Sequence, residues 1–258
     1  MGIDPTTQAT KQAAGQRLPT HAPRLGVLML DTRFPRWRGD VGHDGSFIEP
    51  PLRECVAGAV PAEVVTDGVA LRRSDWAGAF VQAALRLQAQ GAAAITTSCG
   101  FLVLLQAPLQ AALGVPMVSS ALLQLPRLLT DEGQVGVLTV DAQSLGPPHL
   151  LAAGVPVARL ADVLVEGVDR AGAFAAPLLA NSPQRDFDAA EADLVAAARR
   201  LQQRAPALRS VVLECTNMPP HAAALRTATG WRLHGLLDDP VLARFAVLDA
   251  SPAPGSTA

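Results

Sequence analysis

The stretch Gly26-Val-Leu-Met-Leu-Asp31 recurs as Gly136-Val-Leu-Thr-Val-Asp141, and this repetition decides the fold class. The two copies lie 110 residues apart, from position 26 to position 136. A second similarity lies 116 residues apart, from position 99 to position 215: Ala94-Ile-Thr-Thr-Ser-Cys99 and Val211-Val-Leu-Glu-Cys215 each read as an apolar strand followed by a cysteine. Because the two offsets nearly agree, we interpret the chain as two similar lobes produced by duplication.

Apolar runs of strand length alternate with helical patterns along the rest of the chain. This alternation predicts βαβ units with right-handed crossovers and largely parallel sheets. We therefore expect an α/β fold with two pseudo-symmetric lobes, each a mainly parallel sheet flanked by helices, and an active site in the crevice between them. The predicted strands are 25–30, 63–65, 92–96, 116–118, 134–140, 155–160 and 210–213.

Composition shifts and the repeat together divide the chain. Residues 1–22, rich in Thr, Gln and Ala, and residues 251–258, rich in Ser, Pro and Gly, are expected to be flexible tails. Residues 23–129 plus 221–250 are assigned to the first lobe and residues 130–220 to the second.

The charged residues argue against several classes of function. A net charge of −2 gives no basic excess to neutralise phosphates, so we expect no nucleic-acid partner. Lys11 is the only lysine, and it lies in the N-terminal tail, which leaves no candidate for a Schiff base, for pyridoxal phosphate or for a P-loop. The 5 histidines show no metal-binding spacing. The sequence therefore predicts neither a cofactor nor a metal.

The cysteines and the apolar segments indicate the cellular compartment in which the protein is expected. Three widely spaced cysteines are typical of reduced thiols in a cytosolic protein, and residues 1–20 lack the apolar core of a signal peptide. The uncharged stretch 87–125 is interrupted by Pro108 and Pro116, which favours buried strands and helices over a membrane span. We expect a cytoplasmic protein with no membrane partner, and the sequence leaves open whether it forms a homo-oligomer.

Cys99 and Cys215 are the candidate catalytic residues. Each follows a predicted parallel strand and precedes a helix, where side chains face a crevice. Two thiols that approach one ligand from opposite lobes suit a two-base proton exchange on a carbon beside a carboxylate, one acting as thiolate base and the other as thiol acid. The alternative is that both are small buried apolar residues, which is the interpretation we adopt for Cys55.

Other polar residues at or near strand ends are candidates for binding the substrate. Hydroxyl and amide donors there stabilise the enolate-like charge that develops when the proton leaves. The glycine- and arginine-rich segment 31–51 is a candidate lid over the crevice, from which an arginine could bind a carboxylate. The candidates are Asp31, Arg33, Thr97, Ser98, Gly100, Thr139, Thr216 and Asn217.

The segments Thr96-Thr-Ser-Cys-Gly-Phe101 and Leu213-Glu-Cys-Thr-Asn-Met-Pro-Pro220 resemble the two cysteine motifs of the aspartate/glutamate racemase superfamily. The resemblance spans about 24–247. It implies two pseudo-symmetric lobes, no cofactor, and one cysteine from each lobe beside the substrate's α-carbon. The chain departs from the amino-acid racemase pattern at Gly100, where racemases have Asn, and at Glu214 and Asn217, where glutamate racemases have Gly and His.

The resemblance implies a racemase or epimerase of a small carboxylate compound, such as an amino acid or a derivative, acting through Cys99 and Cys215. The superfamily also contains maleate isomerases and arylmalonate decarboxylases, the latter with one functional cysteine. A decarboxylase or a cis-trans isomerase is therefore the alternative enzyme. A third hypothesis, motivated by the motif departures, is a module that binds carboxylates without catalysis.

Overall fold

The computed structural model describes residues 22–66, 71 and 76–247. The expected flexible tails fall outside these residues except for Ala22. The described strands are β1 Arg24–Leu30, β2 Leu52–Val56, β3 Ala92–Thr97, β4 Met117–Val118, β5 Val135–Thr139, β6 Val163–Gly167, β7 Ser210–Leu213 and β8 Arg232–His234. The described α-helices are α1 Pro61–Val64, α2 Trp76–Ala89, α3 Gln106–Ala112, α4 Leu125–Asp131, α5 Pro147–Ala152, α6 Ala175–Leu179, α7 Phe187–Arg204 and α8 Ala222–Thr229.

The strands form two four-stranded sheets of the same topology, ordered β2-β1-β3-β4 and β6-β5-β7-β8. Every pairing within the two sheets is parallel. The expected α/β fold with two pseudo-symmetric lobes is therefore confirmed. The repeat also aligns the sheets, since β1 and β5 take the same inner position, as do β3 and β7.

Buried apolar faces explain why these segments form helices and strands. In α2 the buried residues are Phe80, Ala83, Ala84 and Leu87, the spacing of one helix face. Helix α7 buries an equivalent stripe and begins at Asp186, whose side chain accepts a hydrogen bond from the Ala189 backbone N–H at 3.0 Å. All five residues of β5 are buried, as expected for an inner parallel strand covered on both faces.

The glycine that opens each repeat is required by close packing. A Cβ atom on Gly26 would lie 3.0 Å from Ala92 Cβ and 3.2 Å from Leu87 Cβ of α2. A Cβ atom on Gly136 would lie 2.7 Å from Leu208 and 2.9 Å from Val211. In both lobes a glycine on the first strand lets a neighbouring strand and helix approach closely.

The structure differs from the predicted strands at the sheet edges. Residues 63–65 lie at the end of α1, and 155–160 mostly fall in the 3₁₀ helix Val157–Asp162, immediately before β6. Strands β2, β6 and β8 are absent from the prediction. These edge strands carry charged residues and so lack a continuous apolar run.

The boundary between the lobes also differs from the assigned one. Residues 221–250 were assigned to the first lobe, but β8 pairs with β7 in the second sheet. The reason is that β7, α8 and β8 form a further βαβ unit of the second lobe. The chain returns to first-lobe residues only afterwards, where Ala246 forms a bridge with Phe47.

Hydrogen bonds join the two lobes around the crevice. The Thr216 hydroxyl donates to the Ser98 backbone carbonyl at 2.9 Å. Asn181, the one non-glycine residue with positive φ in the described part of the chain (52°), accepts from the Arg33 backbone N–H at 2.7 Å. Its Nδ2 donates to the Asp31 carbonyl at 2.9 Å. Asparagine is among the non-glycine residues that adopt this left-handed conformation most readily, and here its side chain bonds to the other lobe.

Candidate active site

Cys99 and Cys215 line one cleft, each contributed by a different lobe. The cleft has a cavity volume of about 30 Å³ and lies at the carboxyl ends of β3 and β7, the equivalent inner strands. Cys99 is 8% exposed and Cys215 is partly exposed. The structure thus brings together the two thiols that the sequence singled out. The other lining residues are mostly apolar: Leu30, Thr32, Phe34, Pro61, Val65, Ser98, Gly100, Phe101, Val140, Leu178, Leu179, Glu214 and Asn217.

Cys99 caps the 3₁₀ helix Gly100–Leu105. The backbone N–H groups of Phe101 and Leu102 act to lower the pKa of Cys99 and so favour the thiolate. Burial outweighs them and, with the negative charge of Glu214, raises the pKa of Cys99 far above its ordinary value. At neutral pH this thiol is therefore protonated.

Cys215 has an additional donor from a side chain. Asn217 Nδ2 points at the Cys215 sulfur at 3.8 Å, and the Asn217 backbone N–H also donates to it. Burial, followed by the charge of Glu214, raises the pKa of Cys215 to about 12, while Arg185 lowers it. Of the two thiols, Cys215 is more exposed and is the one on which a cation acts.

Arg185, which the sequence analysis missed, holds Asn217 in place. Its Nη1 donates to Asn217 Oδ1 at 3.0 Å, so the amide's N–H side faces the sulfur of Cys215. The guanidinium stacks on Trp37, 4.3 Å from the ring centroid, and Nη1 also lies 3.2 Å from the Pro35 carbonyl. Nε and Nη2 are buried and find no hydrogen-bond partner among the described residues. Burial lowers the pKa of Arg185, and the nearby Cys215 and Asp40 oppose that shift.

Glu214 brings a carboxyl group into the same cleft. Its side chain is 1% exposed, and its Oε2 accepts a hydrogen bond from the Thr139 hydroxyl at 2.9 Å. Burial raises the pKa of Glu214 to about 7, against the hydrogen bonds from Thr139 and from the Val140 backbone. A Cβ atom on Gly100 would lie 2.3 Å from Glu214 Oε1 and 2.4 Å from its backbone oxygen. Gly100 and Glu214, two positions at which the chain departs from the racemase pattern, are therefore in contact.

Three of the predicted substrate-binding residues line the cleft, namely Ser98, Gly100 and Asn217. Ser98 Oγ accepts from the Leu30 backbone N–H at 2.9 Å and so joins β3 to β1. For these residues contact with a substrate stays a prediction, but the geometry permits it.

The other five predicted residues lie around the cleft without lining it. The Thr97 hydroxyl donates to the Ser119 carbonyl at 2.7 Å, while Thr139 and Thr216 bond to Glu214 and to the Ser98 backbone. Asp31 accepts from the Gly58 backbone N–H at 3.0 Å, and Arg33 is exposed. The structure gives Asp31 and the three threonines roles in holding strand ends and lobes together.

The segment 31–51 packs against the second lobe. Arg36 pairs with Asp40 at 2.8 Å and donates to Thr32 at 3.0 Å, so its guanidinium is engaged within the segment. Trp37 contacts Phe187 of α7 edge-to-face, with centroids 5.0 Å apart. This packing places Phe34 in the wall of the cleft.

Two general features of the described residues also bear on function. Among residues 22–66, 71 and 76–247, no three His, Cys, Asp or Glu side chains are grouped to hold a metal ion. In the same residues, no helix combines the length and the apolar character needed to cross a membrane.

Solved structures with the same fold include arylmalonate decarboxylase. The unliganded enzyme superposes with a TM-score of 0.51 at 15% identity, covering 91% of this chain and 97% of that chain. A glycine-to-cysteine mutant of the same enzyme, with associated sulfate, gives a TM-score of 0.53 at 17% identity over 86% of this chain and 93% of that chain. At this identity the likeness concerns the fold alone.

Curated proteins of similar sequence are dimethylsulfoniopropionate lyases. Dimethylsulfoniopropionate lyase 3 of Emiliania huxleyi (strain CCMP1516) is 32% identical over 218 residues, and the match covers 80% of this chain and 55% of that protein. The lyase of Durusdinium sp. clade D is 28% identical over 214 residues, 80% of this chain and 69% of that protein. The chain thus spans a little over half the length of the Emiliania huxleyi protein. No family model matches the sequence. The chain has the two-lobed α/β fold of arylmalonate decarboxylase, and four fifths of its length is similar in sequence to dimethylsulfoniopropionate lyases.

Proposed function

We propose that this chain is a cofactor-independent lyase that removes the α-proton of a small carboxylate and expels a leaving group from the β-carbon. The candidate substrate is dimethylsulfoniopropionate. The observation that carries the proposal is the pair Cys99 and Cys215 lining one cleft from opposite lobes. The similarity to named lyases supports elimination over the racemisation expected from the sequence motifs.

The reaction balances without a cofactor. A thiolate takes the α-proton, and the electron pair of that C–H bond forms the double bond between the α- and β-carbons. The bond from the β-carbon to sulfur breaks, and its electron pair leaves with dimethyl sulfide. Acrylate is the other product, and the proton passes from the thiol to solvent.

Cys215 is the better candidate for the base. Its sulfur faces the Asn217 amide N–H, which Arg185 orients, and the charge of Arg185 favours the thiolate. Cys99 has backbone donors but no cation beside it, so we assign it the thiol form, on the other side of the cleft. A β-elimination needs one base, whereas racemisation needs an acid and a base on opposite faces of the α-carbon.

The walls of the cleft suit a cationic, weakly hydrated leaving group. Phe34 and Phe101 lie among its apolar lining residues. An aromatic face attracts a sulfonium through its quadrupole. The sulfonium charge is diffuse, so the cation loses little hydration energy when it lies against an apolar wall. The substrate carboxylate is expected towards Asn217 and Arg185, whose Nε and Nη2 lack partners among the described residues.

The test is to incubate the purified chain with dimethylsulfoniopropionate and to measure dimethyl sulfide by gas chromatography and acrylate by NMR. We expect both products in equal amounts. In deuterated water, α-proton exchange in recovered substrate reports removal of the proton even when elimination is slow. Absence of product and of exchange would contradict the proposal.

Variants assign the roles. Cys215→Ser is expected to lower turnover by at least about 100-fold, the usual contribution of a general base, and Cys99→Ser by less. Cys55, expected from the sequence to be buried, is instead exposed on the edge strand β2. Cys55→Ser is therefore the matched control and should retain wild-type turnover. Parallel incubations with amino acids and with an arylmalonate would reveal racemisation or decarboxylation, the alternatives of the same fold.

A further inference from the structure

Glu214 is a buried acid in the cleft wall that neither the sequence motifs nor the proposed elimination explains. It stands where the glutamate racemase pattern has Gly. Among the described residues it takes part in no ion pair, and its one side-chain hydrogen-bond partner is the uncharged Thr139 hydroxyl, at 2.9 Å. A buried carboxylate without a cationic partner is costly, so this part of the cleft suits a cation supplied by a ligand.

The carboxyl of Glu214 reaches across to the first lobe, where it lies against Gly100. A Cβ atom on Gly100 would lie only 2.3 Å from Glu214 Oε1, so any other residue at position 100 would push this oxygen aside. Both residues line the cleft. The glycine therefore allows the carboxyl to form part of the cleft wall between the two lobes.

The charged and titratable groups that face Glu214 do not neutralise it. Asp141 faces it from the end of β5 and is itself ion-paired with Arg170. The thiols of Cys99 and Cys215 face it from the ends of β3 and β7. In the described part of the chain, none of these groups brings an uncompensated positive charge to the carboxyl.

A different part of the cleft wall is already close to positive charge. The centroid of the Phe34 ring lies 4.9 Å from the guanidinium carbon of Arg36 and 5.6 Å from that of Arg185. These groups make Phe34 a poor site for a further cation and favour the substrate carboxylate there. Phe101, which follows Gly100, is the cleft ring that remains for the sulfonium.

We propose that Glu214 is the counter-ion for the substrate's sulfonium and selects carboxylates that carry a positive charge on the group attached to the β-carbon. The inference rests on the proposed function and deepens it, because it assigns the residue that recognises the leaving group. The carboxylate of the substrate then lies towards Asn217 and Arg185, and its sulfonium lies against Glu214 and Phe101. The substrate class is a zwitterion whose two charges meet opposite charges in the protein.

The proposed ion pair disappears during the reaction, because the sulfonium leaves as neutral dimethyl sulfide. Glu214 therefore stabilises the bound substrate more than the transition state. Glu214→Gln is expected to raise the KM for dimethylsulfoniopropionate at least about tenfold without lowering kcat. A purely structural role would lower kcat as well.

A binding test that does not depend on turnover uses two ligands of the same shape. One is the betaine of β-alanine, which carries a trimethylammonium group where dimethylsulfoniopropionate carries its sulfonium. The other is the carboxylate in which carbon replaces the nitrogen of that betaine. Isothermal titration calorimetry at pH 8 gives the ratio of the two affinities. This ratio should fall at least about tenfold, to the disadvantage of the betaine, in Glu214→Gln.

Glu132→Gln is the matched control for the loss of one negative charge. This carboxylate also belongs to the second lobe but pairs with Arg232 at 2.7 Å and does not line the cleft. The affinity ratio of the two ligands should be the same in Glu132→Gln and in wild type.

The pH dependence of binding gives a second check, in wild type alone. Burial raises the pKa of Glu214 to about 7, so its carboxylate form increases from about a tenth of molecules at pH 6 to about nine tenths at pH 8. Only the carboxylate pairs with a cation. Affinity for the betaine should therefore rise about tenfold over this range, while affinity for the carbon analogue should not rise. The thiols of Cys99 and Cys215 stay protonated throughout, because burial raises the pKa of each still further.

The outcomes separate this proposal from the lyase function. An affinity ratio that Glu214→Gln leaves unchanged overturns the assignment of Glu214, as does a wild-type ratio that is the same at pH 6 and pH 8 or a wild type that does not bind the betaine. The wild-type comparison decides the matter even if the variant does not fold. If the ratio changes as expected but dimethylsulfoniopropionate is not cleaved, the cation site stands and the lyase function fails. If it is cleaved with an unchanged KM in Glu214→Gln, the lyase function stands and the cation site fails.

Discussion

Replacing Glu214 by Gln should make the protein more stable at pH 8, relative to wild type, than at pH 4.5. The carboxyl is 1% exposed, and burial raises its pKa from 4.5 to about 7. A group whose pKa is raised by folding loses its proton on unfolding between those two values. Wild-type stability therefore falls as the pH rises through that window.

The size of this effect follows from the width of the window. It spans about 2.5 pH units, from 4.5 to about 7, and each unit corresponds to about 1.36 kcal/mol. The wild type thus loses about 3 kcal/mol of unfolding free energy between pH 4.5 and pH 8 that the glutamine variant does not lose. Any packing cost of the new amide is the same at both pH values and cancels.

The assay is urea unfolding of both proteins at pH 4.5 and pH 8, followed by circular dichroism. The free-energy difference, variant minus wild type, should increase by about 3 kcal/mol at the higher pH. Glu63→Gln serves as a control, because water solvates that exposed carboxylate in the folded and unfolded states alike. A difference between Glu214→Gln and wild type that changes by less than about 1 kcal/mol would refute the argument that this carboxyl is desolvated.

Three further predictions concern single contacts. Gly136→Ala should lower the unfolding free energy by about 1–3 kcal/mol, because the new Cβ would lie 2.7 Å from Leu208. Gly133→Ala is the control: a Cβ there would meet nothing within 4 Å, so the unfolding free energy in the same urea titration should change by less than about 0.5 kcal/mol. Thr139→Val removes a hydrogen bond to the Glu214 carboxylate, so the pKa of Glu214 should rise further. The fall in unfolding free energy between pH 4.5 and pH 8 should then be larger than in wild type, and an unchanged fall contradicts this. Arg185→Lys keeps the positive charge but loses the planar guanidinium that stacks on Trp37, so turnover should fall at least about tenfold. Turnover of Arg185→Gln should fall further. Equal turnover of Arg185→Lys and wild type would show that the charge alone suffices.

Much of the fold could be predicted because its inner strands have strong signals. Gly26 and Gly136 begin apolar runs of equal character, and both turn out to be inner-strand glycines packed against a helix or strand. Strand ends in a parallel sheet share one edge, which placed Cys99 and Cys215 at the crevice. The edge strands β2, β6 and β8 were missed because charged residues such as Arg53 and Glu54 interrupt their apolar pattern, whereas the apolar edge strand β4 was predicted.

The rest of the site depends on contacts between distant segments. Arg185 precedes α7, 30 residues before Cys215, and no periodicity marks it. Its position is decided by Trp37 and Pro35 from the other lobe. Glu214 was visible in the sequence as a departure from a motif. That it meets Gly100 could not be seen, because the meeting depends on how closely the lobes approach.

The two bonds of Asn181 to the first-lobe backbone impose a cost on ligand entry. Any parting of the lobes at this point breaks both bonds, each worth about 1 kcal/mol. An opening penalty of about 2 kcal/mol leaves only a few per cent of molecules open at a given moment, and a ligand that enters only the open form would meet an association rate reduced by the same fraction. The strength of the two Asn181 hydrogen bonds would then set how often the cleft opens to solvent.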